Sequence, residues 1–171
     1  MSDKTTKYYD AISSGYDELY GEEQRDKFKI ITKEINPEKN ETLLDIGCGN
    51  GISAEFFDCK ILGVDPSKEL IKKAKEKHSK KTWSIGKGEC ITKNYSNQKF
   101  DYIICVSTAH HIKNIKNLIK DIKELSKPTT KHCFSLLKNS KRNEEMLEEI
   151  QKKFRITKKI LGDKDLIVFF E

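Results

Sequence analysis

Residues 42–53 read TLLDIGCGNGIS. Apolar and β-branched residues around the acid Asp45 read as a buried strand, and glycine then alternates with other residues at Gly47, Gly49 and Gly51. Glycine in every second position suits neither a continuing strand nor the body of a helix. It does suit a turn whose backbone must take unusual dihedrals and lie close to something else. The stretch therefore predicts a strand followed at once by a ligand-binding turn.

Outward from this stretch, apolar runs and helical periods alternate. Phe28, Ile31 and Ile35 fall at helical spacing before Pro37 stops the run. Residues 51–57 suit a short helix and KILGVD (60–65) a second strand. PSKELIKKAKEKH is then a helix, with Pro66 early in its first turn. Strands are expected at 82–87 and 99–106, followed by a helix with Ile112, Ile115, Ile119, Ile122 and Leu125 on one face, ending before Pro128. A fifth strand at 131–137 and a helix at 141–152, capped by Ser140, precede FRITKKIL and DLIVFF around Gly162-Asp163-Lys164. This rhythm predicts an α/β fold, an open sheet covered by helices on both faces. A three-residue turn joins only antiparallel neighbours, because a parallel crossover needs a dozen or more residues. The expected sheet is six parallel strands with one antiparallel member.

The length, 171 residues, suits one domain spanning 1–171. A domain of this size buries roughly 70% of its unfolded surface. Within it, 1–24 is a polar segment studded with Tyr8, Tyr9, Tyr16 and Tyr20, and 25–171 forms the core. No apolar run approaches the roughly 20 residues that cross a bilayer, and the start of the chain lacks a signal-peptide core. Cys48, Cys59, Cys90, Cys105 and Cys133 are dispersed and odd in number, with no CxxC pair. They read as reduced thiols of a cytoplasmic protein, not as a disulfide frame or a metal site. The formal charge is +6, but arginine supplies only Arg25, Arg142 and Arg155 of the 33 basic residues. The run KKAKEKHSKK (72–81) reads as a solvated helix face, so charge alone singles out no anionic partner.

Several nucleotide-type ligands compete for a glycine turn behind a first strand. A phosphate-cradling GxxxxGK[ST] loop is absent, and the dinucleotide pattern GxGxxG fails at Ile52. What stands here is Asp45-x-Gly47-x-Gly49-x-Gly51, with Asp65 closing the second strand in ILGVDPS, Gly88-Glu89 after the third, and FDYIICVSTAHHI as the fourth strand and its turn. The N-terminal YYDAISSGYDELY completes the set. Together these resemble the class I S-adenosylmethionine-dependent methyltransferases over essentially the whole chain. The resemblance implies a three-layer Rossmann-like, seven-stranded sheet, mostly parallel with its last strand antiparallel, under an N-terminal lid.

The resemblance also implies roles. The turn Gly47, Cys48, Gly49 and Gly51 with Asp45 would hold the amino-acid end of S-adenosylmethionine, and Asp65, beside Pro66, both ribose hydroxyls. Glu89, with Cys90 alongside the ring, would meet the adenine, and Tyr16 the sulfonium. Ser107 would shape the floor, and the product would be S-adenosylhomocysteine. Methyl transfer is an in-line displacement that needs a base only when the acceptor is protonated, and His110 and His111 are the candidates. Read singly, Asp65 serves equally as a helix cap and each histidine as a packing residue. Turns of this type occur in tRNA-modifying and small-molecule methyltransferases alike, so RNA, a small molecule under the lid, or a non-catalytic cofactor-binding subunit serving a partner protein all stay open. SKPTTK replaces the LKPGG common in the family before the fifth strand, which bears on a turn remote from the cofactor.

Overall fold

The computed structural model describes residues 3–171. Seven strands form one sheet in the order β3-β2-β1-β4-β5-β7-β6. They are β1 (Thr42–Ile46), β2 (Lys60–Asp65), β3 (Thr82–Ile85), β4 (Phe100–Cys105), β5 (Ser126–Leu137), β6 (Ile156–Leu161) and β7 (Asp165–Phe170). β1 pairs in parallel with β2 and β4, β2 with β3, and β4 with β5; β7 runs antiparallel to both β5 and β6. The tight turn after β6, where the Gly162 amide donates to the Asp165 carbonyl at 2.8 Å, sends β7 back between β5 and β6. Chain order alone did not place β7 there.

Alternation along the strands divides the core in two. Leu44, Ile46, Ile103, Cys105, Phe134 and Val168 face the side covered by α5 (Ile115–Leu125) and α6 (Asn143–Gln151). Leu43, Tyr102, Ile104, Cys133 and Ile167 face the side covered by α2 (Tyr16–Ile31) and α3 (Lys68–Lys77). The remaining helices are α1 (Asp3–Ala11) and the single turn α4 (Thr92–Tyr95).

Local chemistry moves several expected boundaries. Pro66 lies before α3, because Ser67 caps it by accepting from the Leu70 amide at 3.2 Å. α6 starts at Asn143, and Ser140 instead accepts from the Arg142 amide at 3.3 Å. β5 begins at Ser126 and bulges: Phe100 pairs with Ser126 but Tyr102 with Lys131. Thr130 fastens the bulge by donating to the Phe100 carbonyl at 2.6 Å, so the Pro128-Thr129 pair needs no ladder bond. The helix expected from Arg25 starts at Tyr16, so α2 runs without a break across position 24/25.

Candidate functional site

The turn after β1 is built around two glycines. At Gly47 (φ +77°) a Cβ would lie 2.2 Å from Thr108 Oγ1, so only glycine lets the turn pack against the end of β4. Gly49 (φ +54°) differs: a Cβ there would project toward the Tyr16 hydroxyl at 3.5 Å, into the gap between turn and α2. The turn is fixed from within. Gly47 and Cys48 amides donate to the Val64 carbonyl (2.7 and 3.2 Å), and Gly51 donates to Cys48 (2.9 Å). The Gly49 amide donates to Asp65 Oδ2 at 3.1 Å, and the Ser67 amide to Asp65 Oδ1 at 2.8 Å. Asp65 therefore does hold the start of α3, while also closing the rim of the cleft.

The cleft is rich in hydrogen-bond acceptors. Asp45 and Asp65 both line it and are nearly fully buried. Desolvation pushes Asp45 up to about 7 and Asp65 up to about 6. Asn50, buried in the same wall, leaves its Oδ1 without a partner. Three acceptors, one of them orphaned, suit a ligand bearing an ammonium group and hydroxyls.

The opposite wall comes from the N-terminal helices and the turn after β4. Tyr9 and Tyr16 line the cleft, whose free volume is about 40 Å³, room for about three waters. Burial raises the Tyr16 phenol far above its ordinary range. Ser107 takes a left-handed conformation (φ +55°), which costs a non-glycine residue on the order of 1–2 kcal/mol. Its amide donates to Ser135 Oγ (2.7 Å), and its hydroxyl is held by Lys27 Nζ (2.7 Å) and Gln24 Nε2 (3.0 Å). His111 lines the cleft, with its Nε2 3.1 Å from the Tyr9 hydroxyl. Burial, then the neighbouring His110, pulls His111 down to about 4.

Past these residues lies a second cavity of about 290 Å³, which shares Tyr9, Tyr16, Gln24, Ser107 and His111 with the cleft and adds His110, Tyr20 and Leu137. Its charged members neutralise one another. Lys27 Nζ sits 2.5 Å from Asp165 Oδ2 and 2.7 Å from Glu23 Oε1, and Lys164 pairs with Glu23 Oε2 at 2.6 Å.

A sequence profile of the methyltransferase domain family matches residues 20–158. The chain belongs to the class I S-adenosylmethionine-dependent methyltransferases. The ubiquinone biosynthesis O-methyltransferase of Coxiella burnetii is 31% identical over 118 residues, a match covering 65% of this methyltransferase and 49% of the relative, so the chain spans about half the length of such relatives. A TehB-like SAM-dependent methyltransferase from Corynebacterium glutamicum superposes with a TM-score of 0.70 at 15% identity, covering 92% of this chain and 98% of the other. A Haloferax volcanii methyltransferase, solved in complex with the Trm112 methyltransferase activator, reaches 0.81 at 12% identity, covering 95% and 96%. At such identities these likenesses speak for the fold alone, the seven-stranded, mostly parallel sheet with antiparallel β7 that was expected above.

Of the expected site residues, Tyr16, Asp45, Gly47, Cys48, Gly49, Asp65, Ser107 and His111 line the methyltransferase cleft, and His110 lines the second cavity. Gly51 faces the other way, its Cβ position 2.9 Å from the Trp83 ring. Pro66, Glu89 and Cys90 lie outside the lining residues; Glu89 accepts from the Lys113 amide at 3.1 Å, and Cys90 is exposed. Asn50 and Tyr9 also line the cleft, and both lie inside the motifs quoted above without a signal of their own. Gln24 and Lys27 carry no motif in the sequence and reach Ser107 only through folding.

Proposed function

We propose that this methyltransferase moves a methyl group from S-adenosylmethionine to a small-molecule acceptor held in the second cavity. The observation that carries this reading is the continuity of acceptor-lined cleft and aromatic cavity through Tyr9, Tyr16, Ser107 and His111. The cofactor, when bound, supplies a methyl group activated by a positive sulfur. The chain's own residues do the rest. Asp65, Asp45 and Asn50 offer acceptors to its ribose and amino-acid ends, and the gap at Gly49 gives it a place beside the turn. Tyr16 presents its ring where a cation gains from an aromatic face. Alignment and exclusion of water then supply most of the acceleration, and His111, neutral at pH 7, takes the acceptor's proton at Nε2. His110 lines the acceptor cavity beside it.

The cavity of about 40 Å³ is too small for a nucleoside-sized ligand, so binding displaces Tyr9 and Tyr16 and with them α1 and the first turn of α2. α1 and the first turn of α2 thus serve as a lid on the core. The five cysteines are unpaired, which fits the reducing cytoplasm, and among the described residues no helix is long and apolar enough to cross a membrane. Radiolabelled methyl transfer into fractionated host RNA, protein and metabolites tests the proposal. Label in metabolites, insensitive to salt, is expected; label in RNA with a steep salt dependence would move the acceptor to nucleic acid.

A second reading, a cofactor-binding subunit that works through a partner protein, draws on the Haloferax complex and on Ile85, 51% exposed on the edge strand β3. Cofactor binding without turnover by the isolated chain, restored by a co-purifying protein, would favour it. His111 in the cleft wall speaks for catalysis by the chain itself.

A further inference from the structure

The junction between the two cavities already holds a phenol. The Tyr9 ring packs edge-on against Tyr8, Tyr16 and His111, with centroids 5.3, 6.2 and 5.8 Å away. Its hydroxyl stands 3.1 Å from His111 Nε2. Tyr9 belongs to the lid, and the lid must shift before a cofactor binds, so this hydroxyl leaves His111 as the site fills.

We propose that the methyl acceptor is an uncharged aromatic alcohol of about one ring, whose hydroxyl takes the place on His111 Nε2 that the Tyr9 hydroxyl vacates. This rests on the methyl-transfer reading above. Three observations converge on it. The cavity of about 290 Å³ has Tyr16, Tyr20, Leu137 and two imidazoles in its walls, surfaces that pack a planar ring. Its cations, Lys27 and Lys164, are both paired with carboxylates, leaving no countercharge for a phosphorylated or carboxylated acceptor. His110 Nδ1, beside His111 with ring centroids 3.9 Å apart, is buried without a hydrogen-bond partner, a second polar point for a substituent on the ring. The chemistry balances without another reactant. The acceptor oxygen forms the new carbon–oxygen bond, the carbon–sulfur bond breaks with its electron pair left on sulfur, and the hydroxyl proton passes to Nε2.

The test uses p-cresol, the side chain of Tyr9 as a free molecule, titrated calorimetrically into the full chain with and without saturating S-adenosylhomocysteine. Binding to the saturated wild type is expected; in the cofactor-free chain, where the lid keeps its own hydroxyl on His111, binding should be at least about threefold tighter to Tyr9→Phe. With labelled S-adenosylmethionine, label should appear in 4-methylanisole. Ethanolamine phosphate and a short single-stranded RNA should give no heat. Binding of either charged probe in place of p-cresol, or a p-cresol affinity of the cofactor-free chain unmoved by Tyr9→Phe, would overturn the assignment. Failure of S-adenosylhomocysteine itself to bind would overturn instead the methyl-transfer reading beneath it.

Discussion

His111 and the two carboxylates of the cleft carry their chemistry in their surroundings. An imidazole ordinarily titrates near 6.5, but burial and His110 bring His111 to about 4. A base must be neutral, and in the closed, cofactor-free protein this group is. Followed by NMR there, the His111 imidazole should stay uncharged from pH 5 to 8, and a titration near 6.5 would contradict its burial; His111→Asn should cost about 10²–10⁴-fold in kcat. Asp45 and Asp65 run the other way. Raised to about 7 and 6, they are partly protonated near neutrality in the free protein, whereas a cation favours their ionised forms. Binding of S-adenosylmethionine at pH 6.5 should therefore release protons, read as a dependence of calorimetric heat on buffer ionisation enthalpy. Affinity should fall as the pH drops from 7 to 5. Asp65→Asn should weaken binding by about 10- to 150-fold, the worth of a charge-assisted hydrogen bond of about 1.5–3 kcal/mol.

At the scale of elements, the lid is fastened at points that flank the cleft. Asp10 accepts from Ser67 Oγ at 2.6 Å, just past Asp65. Asp17 accepts from Asn50 Nδ2 at 2.5 Å and pairs with Lys77, and Arg25 grips Glu55 with two nitrogens at 3.0 and 3.2 Å. The Asp17–Lys77 and Arg25–Glu55 ion pairs are partly exposed and contribute little to global stability, so their effect belongs to opening. Lys77→Ala should leave the melting temperature nearly unchanged while S-adenosylhomocysteine associates and dissociates several-fold faster. Trp83, the sole tryptophan, packs behind Gly51 and gives a stopped-flow fluorescence signal from the turn; equal rates in variant and wild type would refute the latch. The lid helices were only half legible in the sequence. Apolar periodicity reveals a helix that packs on a core, and it found Phe28 and Ile31. The face continued by Tyr16, Tyr20, Gln24 and Lys27 is polar or aromatic because it looks into the site, so the same signal fades there. The strands β1, β4 and β7 were plain, since a doubly covered sheet makes its central strands continuously apolar.

In the whole molecule, the face of the sheet under α5 and α6 carries a titratable group remote from the site. His132 on β5 is buried between Phe154 and Phe170, and its two nitrogens meet the Phe170 carbonyl (3.0 Å) and Ser126 Oγ (2.9 Å). Burial lowers it to about 4. The unfolded chain takes up this proton near 6.5, so the stability His132 contributes is complete above 6.5 and lost as pH falls toward 4. His132→Gln should cost about 1–3 kcal/mol at pH 7 and flatten the slope of stability between pH 6.5 and 4, measured by urea denaturation at each pH; an unchanged slope would assign acid sensitivity elsewhere. The sequence by itself determined the alternation of strands and helices, the reversal of β7 and the acid-and-glycine turn, because local periodicity, turn length and backbone sterics act over a few residues. Only the tertiary structure decided that β7 lies between β5 and β6, that Glu89 turns to the Lys113 amide, and that Tyr9, Lys27 and His111 share one site. Those outcomes depend on contacts between elements separated in the chain, from 24 positions for Glu89 with Lys113 to 102 for Tyr9 with His111, where no short-range pattern reaches.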